Sequence, residues 1–276
     1  MKITVIMAAY NKPSHLDRAL NGYAVQDDDN FEVIVTEDGQ AESNKEVINH
    51  LRTNTSLKLR HLTQEDTGFR KTVALNRAIE AADGEYLIFT DDDCIPRKDV
   101  VSKHRKYARE GRFIVGAYNR LPLSVSERIT AQDVQSQRAF RLSWLMRNGF
   151  FPTRGFFRII VPSWLAVIMD MRGPLDRGRF PGGHASCFKK DAQKIGGFNE
   201  RMAYGLEDRE FGLRLCNSGL VGKRVKNSTY MLHLDHDRPY RHMEEFAENK
   251  KILDETIASG RIVSSHLDKS KPHEEN

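Results

Sequence analysis

The sequence predicts an α/β protein in which helices cover a mostly parallel β-sheet. Over the first hundred residues, short apolar runs rich in β-forming residues alternate with segments whose apolar residues recur at the 3.6-residue period of a helix. After residue 180 the chain is punctuated by glycines and again carries short structured segments. Because ligands of such sheets bind beyond the carboxyl ends of the strands, the residues that close each apolar run are the first functional candidates.

The elements of the first part follow in order along the chain. Four strands are predicted, at residues 3–8, 31–35, 57–62 and 86–89. A first helix includes Leu16 and Leu20 and starts near Ser14, which forms a weak capping box with Asp17. A second helix has an apolar face made of Val73, Leu75, Ala78 and Ile79.

The composition excludes several classes of protein. A chain of 276 residues with 39% hydrophobic residues can bury a core, and a mean hydropathy of -0.57 excludes a polytopic membrane protein. The most apolar stretch, residues 159–169, is shorter than the roughly 20 residues of a spanning helix, and the amino terminus does not resemble a signal peptide. Three widely separated cysteines indicate neither a disulfide framework nor a structural zinc site, so we expect a reducing cytosol.

Acidic residues follow two of the predicted strands. The second strand ends in Glu37-Asp38-Gly39 and the fourth in Asp91-Asp92-Asp93. An acidic residue after a strand is also typical of a turn or a helix cap, and the first motif alone leaves that alternative open. Three consecutive aspartates repel one another, so a bound cation explains them better than a turn does. Oxygen ligands of this kind favour Mg²⁺ or Mn²⁺.

The basic excess of the protein lies in one segment, residues 138–180. This segment contains eight arginines, two aspartates and neither lysine nor glutamate, so its net charge is +6 while the rest of the chain sums to −1. Arginines mixed with aromatic residues are typical of nucleic-acid binding, of an anionic membrane surface or of a phosphate contact. Aromatic residues that simply fill the core are an equally good interpretation. Nucleic acid is disfavoured because the rest of the chain is acidic.

Further candidates lie in the second half. A helix is predicted to begin near Glu207, with Glu207 and Asp208 in its first turn, where the helix dipole favours carboxylates whatever their function. His233 and His236 follow near the end of an apolar run. Two histidines three residues apart on a strand face opposite sides, so at most one is expected to reach a metal. Residues 242–259 predict a last amphipathic helix, and residues 264–276 a solvated tail.

Together these motifs resemble glycosyltransferase family 2. Residues 5–11 are similar to the family's first strand, residues 37–39 to its D-D-G motif and residues 82–93 to its approach to the metal-binding D-x-D pair. Residues 183–188, 195–200 and 205–208 resemble the acceptor-side half of galactosyl- and N-acetylgalactosaminyl-transferases. The resemblance implies a GT-A fold, a Rossmann-like nucleotide-sugar-binding sheet with helices on both faces, in a single large domain with a C-terminal acceptor-side half.

The resemblance also implies roles for individual residues at the donor site. Asp38 would accept a hydrogen bond from a uracil ring, and Ala8, Ala9 and Tyr10 would form the floor beneath the base. Arg70 is a further candidate for a base or phosphate contact, although a solvated charge at a helix start is as good an interpretation. Glu37 stands where the family has the first aspartate of D-D-G.

At the metal site, the resemblance implies that Asp93 ligates Mn²⁺ or Mg²⁺ and that Asp91 holds the ribose or a metal-bound water. Asp92 would point away or take over from either. His236 is the preferred histidine ligand, with His233 in reserve, by similarity to an H-x-x-H motif of the N-acetylgalactosaminyl-transferases.

On the acceptor side, the resemblance implies that Asp208 is the general base and that Glu207 binds acceptor hydroxyls, with Gly183 also contributing to the acceptor site. A carboxylate kept ionised within hydrogen-bond reach of the acceptor can remove its proton as it attacks. A single displacement of this kind inverts the anomeric configuration.

The sequence therefore predicts an inverting, metal-dependent glycosyltransferase. Its donor would be a nucleotide-diphosphate sugar, a UDP-sugar in our interpretation, and its acceptor a saccharide or lipid-linked saccharide in bacterial surface polysaccharide synthesis. A non-catalytic sugar-nucleotide-binding subunit and a nucleic-acid-binding protein are the alternatives. We expect a cytoplasmic enzyme, with residues 138–180 docking it on the inner face of the membrane. The predicted parts are a nucleotide-sugar-binding half (1–120), an arginine/aromatic insertion (121–180), an acceptor-binding and catalytic half (181–260) and a flexible tail (261–276).

Overall fold

The computed structural model describes residues 1–151, 156–237 and 243–267. In this part of the chain the strands form one sheet of eight and one of three. The strands are β1 (Ile3–Ala9), β2 (Phe31–Glu37), β3 (Leu59–Thr63), β4 (Tyr86–Asp91), β5 (Cys94–Pro96), β6 (Arg112–Val115), β7 (Tyr118–Arg120), β8 (Leu175–Asp176), β9 (Ala185–Phe188), β10 (Val221–Arg224) and β11 (Met231–His233).

The helices are distributed along the whole described chain. They are α1 (Pro13–Ala24), α2 (Glu42–Asn54), α3 (Lys71–Ala81), α4 (Val100–Tyr107), α5 (Leu123–Ser126), α6 (Ala131–Gln135), α7 (Leu142–Arg147), α8 (Phe157–Ile160), α9 (Ser163–Arg172), α10 (Lys189–Lys194), α11 (Glu207–Asn217) and α12 (Met243–Ser259). Two short 3₁₀ turns cover Arg138–Phe140 and Ser265–Leu267.

The large sheet has the order β3-β2-β1-β4-β9-β6-β10-β8. β1 to β4 are parallel to one another, whereas β9 runs antiparallel to both β4 and β6. All seven residues of β1 and of β2 are buried, and strands buried on both faces appear in a sequence as continuous apolar runs. This is why the four strands of the first part were predictable from the sequence.

Helices cover both faces of this sheet, as predicted. Val5 and Met7 of β1 belong to a core that includes Leu16 and Leu20 of α1. Their neighbour Ile6 points to the opposite face, where it packs in a core with Leu75 of α3 and Phe211 of α11. The sheet therefore lies between two hydrophobic layers, and its strand ends form a rigid edge on which a site can be built.

The start of α1 differs from the prediction. The helix begins at Pro13, and Lys12 is the residue before it, without a side-chain capping bond. The Ser14–Asp17 capping box is therefore wrong. Proline at the first helical position has its φ angle already set for a helix and has no N–H to satisfy, which makes the capping side chain dispensable. α11 does begin at Glu207, and α12 covers the described part of the last predicted helix.

A row of buried, hydrogen-bonded polar side chains lies beside the middle strands of the large sheet. The Tyr86 hydroxyl lies 2.8 Å from Ser186 Oγ, which is 2.6 Å from His104 Nδ1. His104 Nε2 lies 2.9 Å from His184 Nε2, and His184 Nδ1 contacts the Ala117 backbone. Burial lowers the pKa of both histidines, that of His184 to about 4, so both imidazoles are neutral at pH 7. The residue before His184 is Gly183, which connects this network to the site described below.

The aromatic residues of the arginine/aromatic segment are only partly in the core. Phe140, Phe150 and Phe180 are buried in the core, whereas Trp164 remains 67% exposed. Arg154 lies outside the described residues. No helix in the described part of the chain is long and apolar enough to cross a membrane. The large sheet contains strands from both predicted halves, and the predicted part boundaries stay a prediction.

Candidate active site

A cavity of about 910 Å³ opens at the carboxyl ends of β1, β2 and β4. Its lining includes nearly every site residue predicted from the sequence. These are Ala8, Ala9, Tyr10, Asp38, Asp91, Asp92, Asp93, Gly183, Glu207, Asp208, His233 and His236. The exception is Arg70, whose exposed side chain donates to Thr67 Oγ1 at 2.5 Å. The strand-end argument therefore located the site, although it did not identify all of its side chains.

Asp38 is held at one end of the cavity. Its Oδ1 accepts a hydrogen bond from Gln64 Nε2 at 2.7 Å, and its Oδ2 accepts one from the Arg70 backbone N–H at 2.5 Å. Burial raises the pKa of Asp38, while these two donors oppose the rise. Tyr10 lies nearby with its hydroxyl 3.1 Å from Asp66, and its ring faces Gly39. Arg70 thus contributes its backbone to this pocket, while its side chain points elsewhere.

Glu37 does not line the cavity. Its fully buried carboxylate contacts His61 Nε2 at 2.8 Å and accepts from Asn44 Nδ2 at 2.7 Å. These bonds tie β2 to β3 and to α2. Glu37, the residue before Asp38, therefore has a structural role, because its bonds hold β2 to its neighbours.

The three consecutive aspartates point in different directions. Asp92 Oδ2 accepts from the Tyr10 backbone N–H at 3.2 Å, which fixes the loop after β1. Burial, reinforced by the charge of Asp93, raises the pKa of Asp92 well above its ordinary value. Asp91 instead faces Lys71, whose Nζ lies 2.7 Å from Asp91 Oδ1.

Asp93 forms a buried cluster with both candidate histidines. Its Oδ2 is 2.9 Å from His236 Nε2 and 3.4 Å from His233 Nε2. Burial alone would raise the pKa of Asp93, but the hydrogen bond from His236 and the charge of His233 hold it below its ordinary value. The thiol of Cys94 donates to the other oxygen at 3.1 Å. The ligand atoms of Asp93, Cys94 and His233 lie within 4.8 Å of one another, so these residues could hold a metal ion.

Both histidines approach Asp93, and which of them reaches a metal stays a prediction. The expectation that they face opposite sides assumed that the strand continues through both residues, but β11 ends at His233. The chain then turns, so that the two rings lie nearly parallel with their centroids 6.4 Å apart. His236 Nδ1 contacts the Asp237 carbonyl at 2.7 Å and also the ammonium of Lys12. The ammonium of Lys12 can only donate, so Nδ1 accepts from it and Nε2 carries the hydrogen that Asp93 Oδ2 accepts at 2.9 Å.

Asp208 lies in the first turn of α11. Its Oδ2 accepts from the Gly182 N–H at 2.9 Å, and its Oδ1 has no hydrogen-bond partner among the described residues. Burial and the neighbouring Glu207 raise the pKa of Asp208 to about 8. Gly182 is required for this approach, because a Cβ there would lie 2.5 Å from the carboxylate. The result is a carboxylate with one oxygen fixed by the Gly182 N–H and the other buried and unpaired among the described residues.

Gly183 separates the two ends of the cavity. A Cβ at this position would lie 3.0 Å from Cys94 Sγ and 3.3 Å from Asp91 Oδ2. The small residue therefore lets the loop between Pro181 and β9 pass close to the acidic edge of the sheet.

The family follows from comparison with known proteins. Residues 4–161, more than half of the chain, match the model for glycosyl transferase family 2. The chain belongs to glycosyltransferase family 2. Residues 165–237 match a second family model, described as the N-terminal domain of galactosyltransferase. The family predicted from the motifs is therefore confirmed.

Similar proteins include YfnE of Bacillus subtilis, an uncharacterized glycosyltransferase. It is 25% identical over 97% of this chain and 73% of its own length. Validoxylamine A glucosyltransferase of Streptomyces hygroscopicus is 25% identical, with 86% of this chain and 56% of that protein covered. This chain therefore spans little more than half the length of some of its relatives.

Solved structures confirm the predicted fold. Residues 1–349 of Staphylococcus aureus TarS in complex with UDP-GlcNAc match 97% of this chain and 70% of that fragment, with a TM-score of 0.66 and 17% identity. A mannosyltransferase from Pyrobaculum calidifontis, in complex with GDP-Man and Mn²⁺, matches 91% of this chain and 61% of its own, with a TM-score of 0.60 and 17% identity. This glycosyltransferase therefore has the GT-A fold.

Lys71 is a cavity residue of this glycosyltransferase that sequence reasoning missed. It is the first residue of α3 and bonds to Asp91. Burial would lower the pKa of Lys71, but the charges of Asp91, Asp208 and Glu207 raise it well above its ordinary value. The signal available in the sequence was its position at a helix start beyond the same sheet edge, a position that it shares with the adjacent Arg70.

Proposed function

We propose that this glycosyltransferase is an inverting, metal-dependent enzyme that transfers a sugar from a UDP-sugar to a saccharide hydroxyl. The proposal rests on the set of residues that line one cavity. This cavity holds the acidic pocket at Asp38, the buried cluster of Asp93 with two histidines, and the carboxylate of Asp208 with an unpaired oxygen. Likeness to TarS, which was solved with UDP-GlcNAc, supports a uridine donor.

Asp38 and Tyr10 would bind the base of the donor. The Asp38 carboxylate is immobilised by Gln64 and by a backbone N–H, so it can accept from an imide N–H without rearranging. Tyr10 is 43% exposed and offers its ring as a stacking surface, with Ala8 and Ala9 behind it at the end of β1. Asp91 would then face the ribose.

Asp93 and His236 would hold the metal, with His233 beside them. The cluster is buried, its carboxylate is ionised, and both imidazoles approach the same oxygen. Mn²⁺ or Mg²⁺ are the candidate ions, and the Mn²⁺ in the mannosyltransferase complex supports the first. A divalent cation bound here supplies neutralisation of the charge on the diphosphate leaving group.

Asp208 would remove the proton of the acceptor hydroxyl. Its Oδ2 is anchored to Gly182, and its Oδ1, unpaired among the described residues, would accept the proton of an incoming hydroxyl. The oxygen of the acceptor would attack the anomeric carbon from the side opposite the diphosphate, forming the new glycosidic bond as the sugar–phosphate bond breaks. This single displacement inverts the anomeric configuration. Glu207, buried beside Asp208, would bind another acceptor hydroxyl.

Lys71 would position the two sets of carboxylates relative to each other. Its ammonium is fixed to Asp91 on the donor side, and it also carries the electrostatic attraction of Asp208 and Glu207 on the acceptor side. A cation at this point lowers the pKa of Asp208, which counteracts burial and keeps more of the base ionised.

We further propose a role in bacterial surface polysaccharide synthesis, with a lipid-linked saccharide as the acceptor. Such an acceptor places the enzyme at the cytoplasmic face of a membrane, where nucleotide sugars are made. The arginine-rich composition of residues 138–180 supports this location.

A nucleotide-sugar hydrolysis screen tests the proposal. The enzyme would be incubated with Mn²⁺ and a panel of UDP- and GDP-sugars, and release of the nucleotide would be measured without acceptor. We expect slow hydrolysis of one UDP-sugar, lost on addition of a chelator and in Asp93→Ala. Selective hydrolysis of a GDP-sugar would overturn the uridine assignment. Tight binding of a UDP-sugar with neither hydrolysis nor transfer to any saccharide would favour the non-catalytic alternative.

A further inference from the structure

Helix α9 exposes an apolar face that nothing in the described chain covers. Trp164, Ile168 and Met171 follow one another at helical spacings of four and three residues, and they are 67%, 39% and 67% exposed. Ile160 of the preceding helix α8 is also exposed, at 54%. The opposite face of α9 is the anchored one, because Ala166 and Asp170 are buried there. A helix in water normally has the reverse pattern, so this face is built to meet an apolar environment.

The exposed charge of this segment is exclusively positive in the described chain. Residues 138–180 contain only two acidic residues, and both are turned inward. Asp170 accepts from the backbone N–H groups of Lys226, Asn227 and Ser228 at 3.0, 3.1 and 2.7 Å. Asp176 accepts from Arg224 Nε at 2.7 Å.

Six arginines of the segment are exposed in the described chain. They are Arg138, Arg141, Arg147, Arg172, Arg177 and Arg179. Exposed arginines without exposed carboxylates, in the same segment as exposed tryptophan and aliphatic side chains, match the composition of an interfacial helix on an anionic bilayer.

We propose that the outer face of α9, with Ile160, docks this enzyme on an anionic lipid surface. The inference rests on the proposed function, in which the acceptor is lipid-linked, and it identifies the surface that contacts the bilayer. The apolar side chains would enter the boundary between headgroups and acyl chains, while the arginines contact lipid phosphates. A second copy of the chain fits this face less well, because a two-fold interface would bring the same arginines together without a carboxylate from the segment to neutralise them.

Co-sedimentation with vesicles tests this docking surface without donor or acceptor, so its result does not depend on the transferase assignment. Wild-type protein would be mixed with vesicles of phosphatidylcholine alone or with phosphatidylglycerol. We expect binding to the anionic vesicles that is lost as salt is raised, since the Debye length falls from about 10 Å at 0.1 M to about 3 Å at 1 M. Trp164→Gln with Ile168→Gln should abolish binding through the apolar contact.

Two double charge-reversal variants, one at the proposed surface and one elsewhere, test the electrostatic contribution to vesicle binding. Arg147→Glu with Arg172→Glu should weaken binding by more than tenfold, since each basic residue near such a surface contributes roughly fivefold. Lys45→Glu with Lys58→Glu changes the net charge equally, but these exposed lysines lie at α2 and beside β3, the opposite edge of the sheet from β8. This control pair should bind as wild type does.

Three results would overturn the proposal. They are wild-type protein that stays in the supernatant with anionic vesicles at low salt, equal losses in the two charge-reversal pairs, and a concentration-dependent dimer that Trp164→Gln with Ile168→Gln disrupts while vesicle binding persists. Donor hydrolysis should be unchanged in all these variants, since none of the substituted residues lines the cavity. Loss of vesicle binding with intact hydrolysis therefore separates docking from catalysis.

Discussion

Replacing Asp208 with asparagine tests the central assignment of the site. The amide can still accept the Gly182 N–H bond that Asp208 Oδ2 accepts at 2.9 Å, so the loop and the start of α11 should keep their positions. What is lost is the ability to take a proton. General base catalysis contributes roughly 10²–10⁴-fold, and we expect the transfer rate to fall by that factor.

The pH dependence gives the same prediction a second readout. Burial and Glu207 raise the pKa of Asp208 from 3.8 to about 8, so in the metal-free site roughly a tenth of the molecules have the base ionised at pH 7. The wild-type rate constant kcat/KM should rise by about tenfold per pH unit below the apparent pKa and level off above it.

The assay is transfer to a saccharide acceptor over a range of pH, together with calorimetry of donor binding. Asp208→Asn should bind the donor as wild type does and should lack the rising limb of the profile. Asp191→Asn is the matched control, since Asp191 lies in the first turn of α10, has an oxygen without a hydrogen-bond partner in the described chain and does not line the cavity. A loss smaller than about a hundredfold in Asp208→Asn, or a wild-type profile that is flat down to pH 5, would refute the general-base role.

Three further predictions concern the metal cluster, the cavity lysine and the buried histidine pair. His236→Ala should weaken Mn²⁺-dependent UDP binding at least about tenfold by calorimetry, and an unchanged metal dependence would assign the ligand to His233 instead. Lys71→Met should shift the rising limb of the pH profile to higher pH, and Lys71→Arg should restore it, whereas an unshifted profile would mean that the lysine only supports the fold. His184 has a pKa of about 4 when folded and about 6.5 when unfolded, so the unfolded chain binds more protons between these values. Stability should therefore fall as pH drops below about 6.5, by up to about tenfold in the unfolding constant per pH unit for this residue, and denaturant curves at pH 7 and pH 5 that coincide would contradict this.

The parts of the fold that the sequence predicted well are those with local signals. β1, β2 and β4 are buried and largely apolar, and the acidic residues that close β2 and β4 lie at one sheet edge because parallel strands end together. Asp38 and Asp93 could therefore be assigned to one site from the sequence alone. The start of α11 at Glu207 was predictable for the same reason, since carboxylates gather in the first turn of a helix.

The parts that were missed depend on contacts between distant segments. Gln64 and Asp66 belong to the loop after β3, and only the folded chain brings them to Asp38 and Tyr10. The joint approach of His233 and His236 to Asp93 depends on where β11 ends, and single-sequence periodicity does not fix a strand end to within one residue.

Lys71 shows how contacts between distant segments change the chemistry that the sequence motifs alone suggest. The motifs alone describe a set of carboxylates that needs a cation, and the cation that they imply is a metal. The structure adds an ammonium that is bonded to Asp91 and attracted by Asp208 and Glu207. In the proposed mechanism, this fixed charge lies between the donor and acceptor sides, while the Asp93 cluster would hold the metal. Because the two positive charges act on different carboxylates, removal of the metal and removal of the lysine should impair different steps, donor binding in the first case and proton removal in the second.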